Sequence, residues 1–102
     1  MHKLTVQYTD PADPATFDAH YREVHVPLAA KIPGLRRFTL SKPRGLGAAA
    51  PYLIAELWFD DADALNAGLG SPEGAAAAAD VQAFTVGSVA MFAGEVEEAV
   101  VG

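Results

Sequence analysis

Between His2 and Thr9 apolar and polar residues alternate, with Leu4, Val6 and Tyr8 on one side and Lys3, Thr5 and Gln7 on the other, which predicts a half-buried strand. Asp10-Pro11-Ala12-Asp13-Pro14 breaks the pattern, and Asp13 can cap a helix with Pro14 at its first position. Phe17, Tyr21, Val24 and Leu28 then recur at helical spacing, the stripe of an amphipathic helix lying on a sheet. Pro27 has no amide hydrogen and its ring crowds the carbonyl of Glu23, so a kink or an early end is expected there; the chain turns by Pro33-Gly34.

Leu35 to Lys42 reads as a second strand, and Pro43, Gly45, Gly47 and Pro51 mark a loop. Tyr52 to Phe59 is a third strand that is apolar on both faces: Leu53, Ala55, Leu57 and Phe59 on one, Tyr52, Ile54, Glu56 and Trp58 on the other. Asp60 or Asp61 can cap a second helix through Ala62, Leu65 and Leu69. Ser71-Pro72-Glu73 opens a further helical stretch over the alanine run, where small side chains let a helix lie close to its neighbour. Thr85 to Ala93 reads as strand four.

The order strand, helix, strand, strand, helix, strand is the βαββαβ pattern of ferredoxin-like α+β domains, a four-stranded antiparallel sheet with helices on one face. Residues 1–102 are enough for one domain. In such a fold the second face of strand three would stay bare, yet it carries Tyr52, Ile54 and Trp58. A second copy of the sheet is the simplest cover, which predicts a homodimer.

Composition narrows the function classes. A net charge of −6 disfavours a nucleic-acid backbone, and Arg36, Arg37, Lys42 and Arg44 are read as a solvated edge strand and turn, with no site role. With no cysteine there is no disulfide, thiolate metal site or Cys nucleophile. Met1-His2-Lys3-Leu4 enters a strand pattern without a secretory leader, and no apolar run is long enough to span a membrane, so a cytoplasmic location is expected.

Phe17-Asp18-Ala19-His20-Tyr21-Arg22-Glu23-Val24-His25-Val26-Pro27-Leu28, followed by Ile32-Pro33-Gly34-Leu35, resembles the EthD family signature, in which an aromatic precedes His-x-Pro-Leu and then Pro-Gly-Leu. Glu56-Leu57-Trp58-Phe59-Asp60 and Ser71-Pro72-Glu73-Gly74 are similar to later parts of that family. The resemblance implies a dimeric α+β barrel and a link, through the family's namesake, to ethyl tert-butyl ether breakdown; it implies no particular reaction.

His25 is the first candidate for chemistry, because carbonyls freed near Pro27 can fix one ring nitrogen and leave the other facing a cavity as acid or base. The alternative is that its ring only ties down the helix end. Glu56, in the most apolar strand, needs a partner, which could be His25, an arginine, Tyr52 or a group of a second subunit; it could orient His25 or merely fix a dimer. His20 lies five residues before His25, about 140° away on a helix, so the two are not expected to share a metal, and His20 reads as a cavity-edge or helix-flank residue.

Tyr8, Tyr21, Tyr52 and Trp58 could line a pocket for a small apolar or aromatic molecule; the first two continue buried stripes and better suit core packing, the last two an interface. No phosphate loop, strained Ser turn or nucleotide fingerprint is present, so any chemistry is expected to need no cofactor and no metal. Two functions follow: a dimeric binding protein or accessory factor for an apolar metabolite, or a cofactor-independent enzyme of monooxygenase, cyclase or decarboxylase type with His25 as acid or base.

Overall fold

The computed structural model describes residues 1–84 and 87–102. The chain runs through β1 (His2–Thr9), α1 (Pro14–His20), a π-helical turn (Tyr21–His25), α2 (Val26–Ala29), β2 (Arg37–Ser41), β3 (Leu53–Phe59), α3 (Ala62–Leu69), α4 (Pro72–Phe84) and β4 (Ser88–Glu95). The strands form one sheet in the order β2-β3-β1-β4, with every neighbouring pair antiparallel. This is the ferredoxin-like α+β fold with its helices on one sheet face.

Strand alternation sets the two faces. Leu4, Val6 and Tyr8 of β1 and Leu53, Ala55, Leu57 and Phe59 of β3 are buried beneath the helices, where Phe17, Tyr21, Ala29, Ile32 and Leu65 meet them. Thr5 is opposite Glu56 on one side and Phe92 on the other, so these residues point outward. The outer face carries Lys3, Gln7, Ile54, Glu56, Trp58 and Phe92, none of them buried. Phe59 has no exposed surface, and truncation to alanine would cost about 3–5 kcal/mol.

The caps follow from the sequence. The Asp13 side chain accepts from the Thr16 amide at 3.2 Å at the start of α1, and Asp61, not Asp60, accepts from the Ala64 amide at 2.8 Å at the start of α3. Asp60 is engaged by Arg36 through two hydrogen bonds of 3.1 and 2.9 Å. Ser71 Oγ accepts from the Gly74 amide at 3.0 Å and opens α4.

The first helix departs from the simple reading in an informative way. It does not end at Pro27; it continues to Ala29, with the π-helical turn inserted just before. There the Val26 amide donates to the Tyr21 carbonyl five residues back. A proline ring clashes with the carbonyl four positions before it, and one extra residue in the turn relieves that clash. The insertion also changes the inward face: Phe17, Tyr21, His25 and Ala29 are buried, whereas Val24, expected in the apolar stripe, is 42 % exposed.

β4 pairs with β1 from Ser88 opposite Thr9 to Glu95 opposite His2. Its expected span began at Thr85; Thr85 and Val86 lie outside the described residues. No helix among the described residues is long and apolar enough to cross a membrane.

Candidate functional site

Between the sheet and α4 lies a cavity of about 640 Å³. Its floor is Leu4, Val6, Ala55 and Leu57 of the two central strands, and its roof is Ala77, Ala78 and Val81 of α4. The alanine run explains the space. At Gly74 the helix does come close to its neighbour, since a Cβ there would collide with the backbone carbonyls of Gly68 and Leu69. One turn further on, the side chains over the sheet are only methyl groups, too short to fill the gap that α4 spans.

The chemistry-bearing lining is Tyr8 from β1 with Tyr21 and His25 from the π-helical turn. Their rings are in contact, with centroids 5.4 Å apart for Tyr8 and Tyr21 and 4.9 Å apart for Tyr21 and His25. Burial pushes the Tyr8 phenol up to about 12, against the hydrogen bond from the Tyr21 hydroxyl that holds it down, with the charge of Asp80 pushing it further up. Burial likewise raises Tyr21 far above the ordinary phenol range, helped by Tyr8. Both hydroxyls therefore keep their protons, and both can donate.

His25 is buried and its Nδ1 lies 3.0 Å from Oδ2 of Asp80. A carboxylate only accepts, so Nδ1 carries the hydrogen and donates it. In the neutral ring this leaves a lone pair on Nε2, which has no hydrogen-bond partner among the described residues. Burial holds the His25 imidazole below its ordinary pKa; the hydrogen bond and charge of Asp80 raise it, but less than burial lowers it, and His20 adds a further lowering. At neutral pH the site thus presents an oriented, unprotonated imidazole beside an apolar cavity.

Asp80 also takes His20: Nε2 lies 2.9 Å from Oδ1 and 3.1 Å from Oδ2. On a regular helix positions five apart diverge, but the i→i+5 turn stacks them, so His20 and His25 reach the same carboxylate. Phe84 packs over His20 with ring centroids 4.3 Å apart. Among the described residues no group of three or more His, Cys, Asp or Glu side chains is arranged to hold a metal ion.

Other expected site residues lie elsewhere. Glu56 is on the outer sheet face, where its carboxylate meets Lys3 Nζ at 2.6 Å. Lys3 is the partner that strand three called for, and the sheet itself separates Glu56 from His25, so Glu56 does not orient the imidazole. Trp58 shares that outer face, its ring flanked by Lys3 Nζ at 5.0 Å and Arg37 Cζ at 5.3 Å. Tyr52 was paired with Trp58 by alternation, but it precedes β3 and packs edge-on against Phe17 at 5.7 Å. Its hydroxyl donates to Asp18 at 2.9 Å and accepts from Lys42 at 3.1 Å.

Asp80 is the residue that sequence reasoning missed. One signal was available: it is the only charged side chain between Glu73 and Phe84, an isolated carboxylate following a run of five alanines.

Comparison with known proteins places this architecture. An uncharacterized 11.0 kDa protein of the thcB-thcC intergenic region of Rhodococcus erythropolis is 43 % identical over 93 residues, covering 89 % of this chain and 90 % of that protein. The crystal structure of an ethyl tert-butyl ether d (EthD) family protein from Bacillus halodurans superposes with a TM-score of 0.89 at 33 % identity, covering 95 % of this chain and 99 % of that one. SnoaB, a cofactor-independent oxygenase from Streptomyces nogalater solved as a point mutant, shares the fold at a TM-score of 0.71 and 19 % identity, covering 97 % of this chain and 95 % of that one. The EthD domain model matches residues 9–88, and with it the chain belongs to the EthD family.

Proposed function

We propose that this protein is a cofactor-independent acid–base enzyme acting on a small, largely apolar molecule held in the cavity beneath α4. The observation that carries the reading is the Asp80–His25 pair: a buried imidazole that lines the cavity, whose Nδ1 is tied to a carboxylate and whose Nε2 has no hydrogen-bond partner among the described residues. A protein that only carries a ligand has no use for an imidazole fixed in its basic form, so the geometry favours an enzyme over a binding protein or accessory factor. That SnoaB is a cofactor-independent oxygenase on the same fold is consistent with this.

The chemistry suited to the site is removal of a proton made acidic by a neighbouring carbonyl or aromatic ring. His25 Nε2 takes the proton, and Asp80 stabilises the imidazolium that forms. Tyr8 lines the same cavity and keeps its proton, so its hydroxyl can donate to the substrate oxygen on which negative charge develops. The apolar floor and roof would hold the substrate's body and exclude water, which strengthens both interactions. A second copy of the chain is proposed to cover the outer sheet face, on which Ile54, Trp58 and Phe92 lie.

The test uses 2-tetralone, an apolar bicyclic ketone whose exchangeable hydrogens flank its carbonyl. Proton NMR in D2O should show wild-type protein accelerating hydrogen–deuterium exchange, and His25→Ala losing that acceleration while still binding the ketone. Exchange that is equally fast with His25→Ala removes the imidazole from the mechanism. Native mass spectrometry of freshly purified protein would identify any co-purified ligand.

A further inference from the structure

Apart from Tyr8, Tyr21 and His25, the polar side chain in the lining of the large cavity is Gln82, near the end of α4. Gly74, Ala77, Ala78, Val81 and Gln82 meet the cavity at the spacing of one helical face, and Gln82 alone of these carries a polar group. Gln82 is exposed, and its carboxamide has no hydrogen-bond partner among the described residues.

The turn of the helix decides which way Gln82 looks. It stands two residues beyond Asp80, a rotation of about 200° around the axis. Asp80 faces the first helix, where it holds His25. Gln82 therefore lies on the opposite flank of α4, and Ala77 and Val81 lie between the two, over the sheet.

That flank borders the open side of the cavity. Met91 of β4 pairs with Val6 and so points to the same sheet face, yet Met91 is 58 % exposed where Val6 is 5 %. Both residues line the cavity. Tyr8, Tyr21 and His25, by contrast, are all buried. The cavity thus has a sealed end that carries the acid–base groups and a mouth edged by Gln82 and Met91, with apolar walls between.

We propose that Gln82 is a specificity-determining residue and that the substrate is bifunctional, with the reacting carbonyl at the inner end of an apolar body and a second hydroxyl or carbonyl at the outer end, hydrogen-bonded to the Gln82 carboxamide. The inference rests on the reading of the cavity as a substrate site. A carboxamide suits the role because it both donates and accepts. At the mouth a second polar group keeps its contact with water; turned inward it would be buried against alanine, valine and leucine without a partner. Gln82 thereby fixes which end of the molecule enters first, and so which carbon meets His25 Nε2. The two flanks of a helix are about 10 Å apart, so a fused bicycle with an oxygen at either end is a fitting probe.

The experiment compares the Kd of 2-tetralone with that of 6-hydroxy-2-tetralone, whose hydroxyl lies across the bicycle from the carbonyl, by NMR titration of the full chain. Wild type should prefer the hydroxylated ketone, and Gln82→Leu should shrink that preference about threefold to tenfold, the worth of one hydrogen bond. Gln82→Met, which keeps the length and loses the amide, should act in the same way. Taking the ratio of the two affinities cancels any general effect of the substitution on the cavity. A ratio unchanged in both variants overturns the proposal, as does a wild type that binds the two ketones equally or binds neither. A preference that depends on Gln82, with no hydrogen–deuterium exchange in either ketone, would uphold the role of Gln82 while overturning the base reading, because binding needs no turnover.

Discussion

His25 links the site to stability through a single proton. In the folded protein its pKa is held below the ordinary value near 6.5, mainly by burial. Between the two values the unfolded chain binds a proton that the folded chain does not, so stability rises with pH across that window. The contribution is complete above about 6.5 and is lost as pH falls toward the folded value. Urea melts at pH 7.5 and 5.5 should show wild type losing stability on acidification and His25→Gln losing less. Equal losses in both would mean that another group controls this window.

Asp80 allows a sharper prediction, because it serves two donors. Asp80→Ala leaves the buried His25 Nδ1–H without an acceptor, at a cost of about 1–3 kcal/mol. For a domain of this size each kcal/mol lowers Tm by roughly 4–8 °C. Asp80→Asn retains an oxygen for one histidine and removes the charge that pulls His25 upward, so His25 should titrate lower still. Nitrogen-15 NMR titration of the imidazoles reads the shift, and a His25 midpoint that stays in place or rises would mean that the Asp80 charge does not act on it.

At the scale of elements, the strands were legible because alternation over His2–Thr9 and Leu53–Phe59 leaves only one way to bury the apolar side. The caps at Asp13 and Asp61 were legible for a similar reason, being short-range chemistry. The histidine cluster was not. Five residues on a regular helix point in different directions, and Pro27 signals a disturbance without saying that one extra residue will be accommodated. Asp80 is 55 residues from His25 and 60 from His20 in the chain, so their meeting depends on how α4 lies across the first helix. Alternation also misassigned Tyr52, because that residue sits where the strand has not yet begun and its ring turns to Phe17.

The roof element offers its own test. Ala77 faces the cavity and is buried, so Ala77→Leu places a larger side chain in empty space rather than against packed neighbours. The variant should keep or raise Tm while weakening 2-tetralone binding at least about tenfold, equivalent to ~1.4 kcal/mol. Unchanged affinity would place the ligand elsewhere, and a fall of many degrees in Tm would mean that the space is already filled by motions of its own lining.

For the whole molecule, the decisive surface is the sheet face without helices. Doubly apolar strand three predicted that it would need a cover, and the fold leaves Ile54, Trp58 and Phe92 on it with Lys3, Arg37 and Glu56 as charged neighbours. Phe92 is 52 % exposed in the isolated chain, and the Trp58 indole nitrogen is buried without a hydrogen-bond partner among the described residues. A twin sheet laid over this face would bury the apolar side chains together and could supply an acceptor for that indole. Sedimentation equilibrium at micromolar concentration should therefore give a dimer of the 10.7 kDa chain with blue-shifted Trp58 emission. Ile54→Lys puts a charge at the centre of the proposed contact, where it would be desolvated without a partner, and should give a folded monomer with red-shifted emission. Because Ile54 points away from the cavity, the monomer's binding of 2-tetralone separates two designs. Retained binding would mean that each subunit completes its own site, whereas lost binding would mean that the partner holds the sheet in the shape the cavity needs.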